Sequence, residues 1–199
     1  MPRARAILDQ TAITAAFAPD GLHGVSAADV AARAGIAKPT LYAHGRSKDA
    51  IFAACVEFEV ERLVARLHAA DTRTAGQPLH QRAAALALAL LDHAARRPEA
   101  FRLLHVTARH RSSTVAHDVD RALGRIPDRI ATALARDVKE RETSLFLQAA
   151  RGLHGAAVGL AGVEDREAAA AMLGRAVAAG LRSPAPEPDA PAQIALGVY

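Results

Sequence analysis

Residues 25–42 place the tightest constraint on how this chain folds, because helix-terminus signals follow one another at short intervals there. Ser26 is a preferred N-cap residue, and Asp29 stands where a carboxylate favours the positive end of a new helix. Gly35 can adopt the left-handed conformation that ends such a helix, and Pro39 is best tolerated in the first turn of the next one. The segment therefore predicts two short helices joined by a tight turn, a helix-turn-helix.

The apolar side chains of this segment fit the same plan. Val30 and Ala31 are expected to face inward, Ile36 to fill the turn between the two helices, and Leu41 to point into the core. A helix-turn-helix places its second helix in the major groove of DNA. The pattern predicts a DNA-binding head near the amino terminus.

The rest of the 199-residue chain predicts an all-α fold. Hydrophobic residues make up 51% of it but aromatic residues only 4%, and most of the apolar residues are alanine and leucine, which favour helices. Proline and glycine divide the chain into helical blocks, about nine helices in all, with no strand-like alternation between them. The blocks span 3–18, 26–34, 37–44, 48–68, 78–96, 98–110, 114–123, 127–139, 144–161 and 164–181.

Three regions follow from these blocks. Residues 1–50 form the head, with the helix-turn-helix at about 26–45, and residues 51–182 form a larger helical body. In residues 183–199 proline recurs at alternate positions, which predicts a disordered tail. No long apolar stretch free of charges is present, and the first residues do not resemble a signal peptide, so a soluble cytoplasmic protein is expected.

Charge and cysteine content narrow the classes of function. The net charge of +4 is compatible with a nucleic-acid partner, and Lys38, Arg46 and Lys48 are expected to cluster around the second helix of the motif. Cys55 is the only cysteine, which excludes an internal disulfide and a cysteine-built zinc site. It is expected to be a small buried apolar residue.

From Phe17 to Ile51 the sequence resembles the tetracycline-repressor (TetR) family. The resemblance is carried, at the family's spacing, by Phe17, Gly21, Val30-Ala31, Ala34-Gly35-Ile36, Lys38-Pro39-Thr40-Leu41-Tyr42, His44 and Ser47-Lys48-Asp49. The chain departs from the family at Gly45, where phenylalanine is usual, and at the polar first-helix residues Asp9, Gln10 and Thr14.

The resemblance implies a regulator that binds double-stranded operator DNA as a homodimer and is released by a small-molecule effector. It implies that residues 37–44 are the recognition helix, that Thr40 and Tyr42 reach phosphates or bases, and that Lys48 grips the DNA backbone. The body would then be the ligand-binding and dimerisation domain. The implied DNA-binding residues are Ser26, Ala37, Lys38, Pro39, Thr40, Tyr42, His44 and Lys48.

The effector pocket is expected among the apolar residues of the body. His105 and Arg109 share a helix face and could supply two polar groups to it, although both could equally be surface residues. The candidate lining is Phe101, Leu104, His105, Arg109, Leu123, Ile130 and Phe146. No cofactor is expected, and the histidines of the body show no spacing typical of a metal site.

The dimer interface is expected on the last two helices. Gly152, Gly155, Gly159 and Gly162 follow one another at spacings of three, four and three, which places them on one helical face. Met172 and Ala176 of the following helix complete the predicted interface. The alternative is that the glycine face packs only within its own subunit.

Two other classes of function remain as alternatives. One is an architectural DNA-binding protein without an effector, which would not need so large an apolar body. The other is an enzyme that uses Cys55, Ser112, Ser113 or a histidine. The sequence contains no glycine-rich phosphate loop, nucleophile elbow or catalytic carboxylate pair, so catalysis is not expected.

Overall fold

The computed structural model describes residues 10–43, 47–107, 115–136 and 143–182, and every regular element within these ranges is helical. The prediction of an all-α fold is confirmed. The helices are α1 (Gln10–Phe17), α2 (Gly21–Gly24), α3 (Ala27–Arg33), α4 (Lys38–Tyr42), α5 (Lys48–Arg73), α6 (Leu79–Arg96), α7 (Pro98–Arg102), α8 (Ala116–Leu134), α9 (Thr143–Gly159) and α10 (Arg166–Gly180). A π-helical turn over Leu103–Thr107 continues α7.

The head packs against the first half of α5. Helix α1 contacts α3 and α5, and the rings of Phe17 and Phe52 meet edge to face with their centroids 5.3 Å apart. Helix α5 then continues past residues 50–51, the predicted domain boundary, to Arg73. Head and body therefore share one long helix, and any movement of α5 within the body moves the head.

The body is built around α5 and α6. Helix α8 packs along α5, α9 packs on α8, and α10 lies against α6 and α9. The buried side chains form one continuous core from Ile13 in the head to Leu173 in α10. Within the described part of the chain, no helix combines the length and the apolar character needed to cross a bilayer.

Ion pairs fix α8 to α5. Asp71 of α5 is 1% exposed and accepts hydrogen bonds from Arg129 of α8 and from Arg136, which follows the end of α8, while Glu57 pairs with Arg125. Burial opposes ionisation of Asp71, but the hydrogen bonds from the two arginines outweigh it and lower the pKa of its carboxyl below the usual value.

Several helix boundaries differ from those expected. A single helix, α8, runs through Gly124 and Pro127, where a break between two helices was predicted. Helix α5 extends beyond His68 to Arg73, because the first helix-breaking residues that follow are Gly76, with φ +78°, and Pro78. The expected helix 98–110 is α-helical only to Arg102 before the π-helical turn, and the short α2 was not predicted.

Candidate nucleic-acid interface

Helix α3 begins with the cap that the sequence predicts. The Asp29 amide donates to Ser26 Oγ at 3.2 Å, and the Ser26 amide donates to Asp29 Oδ2 at 2.9 Å, which together form a capping box. The hydrogen bonds with Ser26 lower the pKa of the Asp29 carboxyl. Ser26, one of the implied DNA-binding residues, therefore defines the start of α3 and remains exposed.

The turn between α3 and α4 also has the predicted geometry. Gly35 has φ +67°, and its amide donates to the Ala32 carbonyl at 3.1 Å. The Ile36 amide donates to the Ala31 carbonyl at 2.9 Å, and the Ile36 side chain packs partly buried against the core. Val30 is fully buried beneath the turn. These contacts hold α3 and α4 in a fixed crossing.

Helix α4 presents a row of side chains to solvent. Ala37 is its N-cap residue, Lys38 and Pro39 occupy its first turn, and Leu41 anchors it in the core. Lys38 and Pro39 are exposed, Thr40 is half-buried, and Tyr42 is 39% exposed. The helix ends at Tyr42; the predicted site residue His44, together with Gly45 and Arg46, lies outside the described residues.

Lys48 has a role in the structure that the resemblance did not imply. Its Nζ donates to the Val25 carbonyl at 2.8 Å, so it ties the start of α5 to the loop before α3. The first turn of α5 is capped by Ser47, whose Oγ accepts from the Ala50 amide at 3.1 Å. Because an ammonium group has three donors, Lys48 can hold this loop and still reach a phosphate.

Arg33 is a structural residue of the head that sequence reasoning missed. Its Nη1 lies 2.8 Å from Asp20 Oδ2 and donates to the Ala16 carbonyl at 3.2 Å, which joins α3 to the end of α1. Both partners are distant in sequence, so no local pattern could indicate the contact. The head thus holds α4 rigidly with its outer face free, as reading a DNA groove requires.

The predicted effector-pocket residues are only partly brought together. The rings of Phe101 and His105 are in tilted contact with their centroids 4.5 Å apart, and His154 of α9, which was not predicted, meets His105 edge to face at 5.0 Å. His105 lies in the π-helical turn, a local irregularity that is frequent at functional sites. Leu104, Ile130 and Phe146 are buried in the common core and Leu123 is half-buried, whereas Arg109 lies outside the described residues.

The predicted dimer face is open in the single chain. Gly152, Gly155 and Gly159 are exposed on α9, and a Cβ atom built on any of them meets no atom of the described chain within 4 Å. Gly162 lies beyond the end of α9, so the prediction that it shares the helical face was wrong. Packing within the subunit does not account for the three helical glycines.

An apolar groove of about 360 Å³ lies between α9 and α10 beside these glycines. Its lining residues are Leu145, Ala149, Gly152, Leu153, Ala156, Leu173, Ala176, Val177, Gly180 and Leu181. Leu145 on α9 and Met172 on α10 are large apolar side chains exposed at this end of the molecule, and Ala176, also a predicted interface residue, is exposed.

Cys55 is packed as expected. It is fully buried, the Gln10 side-chain amide approaches its Sγ at 3.6 Å, and burial raises the pKa of the thiol to about 12. A thiol held protonated is a poor nucleophile. Among the described residues no group of three histidine, cysteine or carboxylate side chains is arranged to hold a metal ion.

Comparison with known proteins supports the assignment of the head. Residues 10–55 match the family model described as bacterial regulatory proteins, tetR family. No curated protein sequence matches the chain. Among solved structures, a TetR-like transcriptional regulator from Rhodococcus sp. RHA1 aligns with a TM-score of 0.67 and 26% identity, covering 89% of this chain and 96% of that one.

Two less similar sequences share the fold more closely. The fatty acid degradation regulator FadR from Bacillus halodurans aligns with a TM-score of 0.73 and 16% identity, over 87% of this chain and 99% of its own. FadR from Bacillus subtilis, solved in complex with stearoyl-CoA, aligns with a TM-score of 0.72 and 15% identity, over 86% of this chain and 97% of its own.

Fold, head geometry and comparisons together define a helical DNA-binding protein whose helix-turn-helix is joined to a larger body through a shared helix. Residues 10–55 thus match the tetR family of bacterial regulatory proteins, and the chain as a whole is similar in fold to a TetR-like transcriptional regulator.

Proposed function

We propose that this regulator is a repressor that binds an inverted-repeat operator as a homodimer and leaves it when a small molecule binds the body. The observation that carries the proposal is the helix-turn-helix itself. Its α4 is anchored by buried Leu41 and presents exposed Lys38 and Tyr42 outward. Lysine and tyrosine at such positions supply a charge for phosphate and a hydroxyl for phosphate or base edges.

The open face of α9 and α10 supports a homodimer. It combines exposed glycines, exposed Leu145 and Met172, and an apolar groove, which are surfaces that a soluble protein usually covers. A two-fold axis through this face would bring two copies of the same surface together. Two heads would then reach half-sites about 34 to 36 Å apart on one side of the duplex.

The effector we would test first is a long-chain acyl-CoA. The support is the shared fold with the Bacillus subtilis FadR that was solved with stearoyl-CoA, together with the size of the apolar body. The contact between Phe101, His105 and His154 is our candidate for the polar end of the pocket, because it places two imidazoles beside the apolar core. This contact adjoins α7, which touches the head, so a ligand there could move α1.

The test is selection of bound fragments from random DNA, followed by titration of the selected complex with stearoyl-CoA. We expect enrichment of an inverted repeat, and release of the DNA as the acyl-CoA is added. A double variant, Lys38→Ala with Tyr42→Ala, should keep its helical circular dichroism spectrum but enrich no sequence. Failure of the wild-type protein to enrich any sequence would favour an architectural DNA-binding protein, and selective binding unaffected by stearoyl-CoA would refute this effector class alone.

A further inference from the structure

A buried ion pair joins α5, the helix that continues from the head into the body, to the corner where α6 ends and α7 begins. Glu59 of α5 is 0% exposed, and both of its carboxylate oxygens are bound by Arg97, whose side chain is 16% exposed. Arg97 Nε donates to Oε2 at 3.2 Å and Nη2 donates to Oε1 at 2.6 Å. This two-point contact fixes the direction as well as the distance between the two side chains.

Arg97 lies where several helices meet. It is the C-cap residue of α6 and the N-cap residue of α7, with φ −140° and ψ 62°. Its amide donates to the His93 carbonyl and its carbonyl accepts from the Phe101 amide, both at 2.9 Å. Helix α7 in turn contacts α1 of the head. The pair of Glu59 and Arg97 therefore connects α5 to the corner between α6 and α7, and α7 in turn contacts the head.

The junction between α1 and this corner is incompletely packed. A half-open pocket of about 180 Å³ lies beside the contact between α1 and α7, and its lining includes Thr14 and Ala15 from α1 and Arg97, Pro98 and Ala100 from the corner. Closely packed interfaces resist displacement because every atom has neighbours, whereas a gap of this size leaves room for α1 to shift. The ion pair adds a directed polar contact to the apolar contacts that α1 makes with α5 and α7.

The same helix offers a matched pair for comparison. Asp71 is also buried on α5 and is bound by Arg129 of α8 and by Arg136, which follows the end of α8. This contact lies at the end of α5 that is remote from the head. A buried ion pair adds little net stability over apolar residues of similar volume, so neither pair is explained by stability alone. Only the pair at Glu59 is placed to control the head.

We infer that Glu59 and Arg97 are positioning residues that hold the head at one angle to the body and so set the half-site spacing that the dimer accepts. The inference rests on the proposed function as an operator-binding homodimer. In the dimer a small rotation of each head about the corner changes the separation of the two recognition helices. When the pair is intact, one spacing is preferred; when it is removed, neighbouring spacings are bound nearly as well.

The experiment measures the affinity of the full-length protein for the selected inverted repeat and for versions with the spacer lengthened or shortened by one to three base pairs. The double variant Glu59→Leu with Arg97→Met replaces the pair by apolar side chains, which leaves no uncompensated charge. The control, Asp71→Leu with Arg129→Met, makes the same replacements in the matched pair. Arg97→Lys keeps the charge but removes the two-point contact.

We expect the wild-type protein and the Asp71 control to bind the optimal spacing about tenfold more tightly than its neighbours, and the Glu59 double variant to lose most of this preference. Arg97→Lys should lose part of the spacing preference. If the double variant does not fold, the result for Arg97→Lys tests the inference. An unchanged spacing preference in a folded Glu59 or Arg97 variant overturns the inference, as does an equal loss in the Asp71 control. A wild-type protein without any spacing preference refutes the proposed dimeric operator binding as well, which separates the two failures.

Discussion

His93 is a buried histidine of α6 whose imidazole forms no hydrogen bond within the described structure. It faces α5 and lies near three positive charges, Arg62, Arg66 and Arg97. Burial, followed by the repulsion from these arginines, lowers the pKa of its imidazole from 6.5 to about 4. The imidazole of His93 is therefore neutral in the folded protein at neutral pH.

This environment predicts a loss of stability in mild acid. Between pH 6.5 and 4 the unfolded chain binds a proton at position 93 that the folded chain does not, so the free energy of unfolding falls as the pH falls through this window. The full stability is present above pH 6.5, and the loss reaches about 3 kcal/mol once the pH is below 4.

The measurement is urea unfolding at several pH values for the wild-type protein and for His93→Leu. The variant should show a flatter dependence of stability on pH between 6.5 and 4. The exposed His117, changed to Gln, is the control and should leave the slope of the wild-type protein unchanged. Equal slopes in wild type and His93→Leu would show that His93 is not held neutral.

Two lysines of the head should affect DNA binding in different ways. Lys38 is exposed on α4, whereas Lys48 also holds the Val25 carbonyl. Lys38→Ala should reduce the slope of the logarithm of the binding constant against the logarithm of the salt concentration by about one unit, because one phosphate contact is lost. It should leave the melting temperature unchanged. Lys48→Ala should reduce the salt dependence similarly and also lower the melting temperature.

Fluorescence anisotropy at several salt concentrations and thermal melting measure these effects. An unchanged salt slope in Lys38→Ala would remove this residue from the interface. If the melting temperature of Lys48→Ala equals that of the wild type, the contact with Val25 contributes nothing to the head.

At the scale of the elements, the sequence predicts the helices whose ends are determined locally and misses those that depend on packing. Ser26 and Gly35 specify α3 because their signals act over a few residues. Pro127 predicts a break, yet α8 continues through it, since Ile126 and Ile130 are buried in the core and offset the lost hydrogen bond. A local rule cannot weigh such a tertiary contribution.

The contact between α6 and α10 shows the same limit. A Cβ atom at Gly174 would lie 2.3 Å from the His80 carbonyl oxygen and 2.7 Å from the Ala84 amide nitrogen, both of which are backbone atoms. The sequence shows only one more small residue in an alanine-rich helix. The same holds for the candidate site. The capped α3 and its turn could be predicted from the sequence, whereas the contacts of Arg33, His154 and Arg97 could not, because they join residues distant in the sequence.

Gly174→Ala should therefore destabilise the protein although alanine favours helices. The backbone helices must move apart to admit the methyl group, which costs about 2 kcal/mol and exceeds the gain of about 1 kcal/mol in helix propensity. Gly124→Ala is the matched control, because a Cβ atom there meets nothing within 4 Å, and it should be neutral or stabilising. Chemical denaturation of both variants measures the difference. Equal or higher stability of Gly174→Ala would show that α6 and α10 are not in close contact.

At the scale of the whole molecule, the proposed dimer requires that two heads be held at a fixed separation. In the single chain, α4 faces outward on the head, and the open face of α9 and α10 lies on the body. The shared helix α5, which is tied to the body through Arg97, Arg129 and Arg136, connects the two surfaces. In the proposed dimer, a small change in the body would therefore change the separation of the heads.

The glycines of α9 provide the last prediction. Gly152, Gly155 and Gly159 together cost about 2 kcal/mol relative to alanine, and within the described part of the chain no atom lies within 4 Å of a Cβ atom built on any of them. Close approach of a second copy of α9 or α10 would offset this cost. Gly155→Leu should then leave a folded subunit that fails to dimerise and binds the inverted repeat much more weakly, since each half-site would be bound alone.

Sedimentation velocity and the affinity for the selected DNA test this prediction, with Gly124→Leu as the control for placing leucine at an open helical glycine on a different surface. The control should sediment as a dimer like the wild-type protein. Dimers of normal strength from Gly155→Leu would place the interface elsewhere. Loss of its helical circular dichroism signal would also contradict the prediction, because a Cβ atom at position 155 meets nothing within 4 Å among the residues that the structure describes.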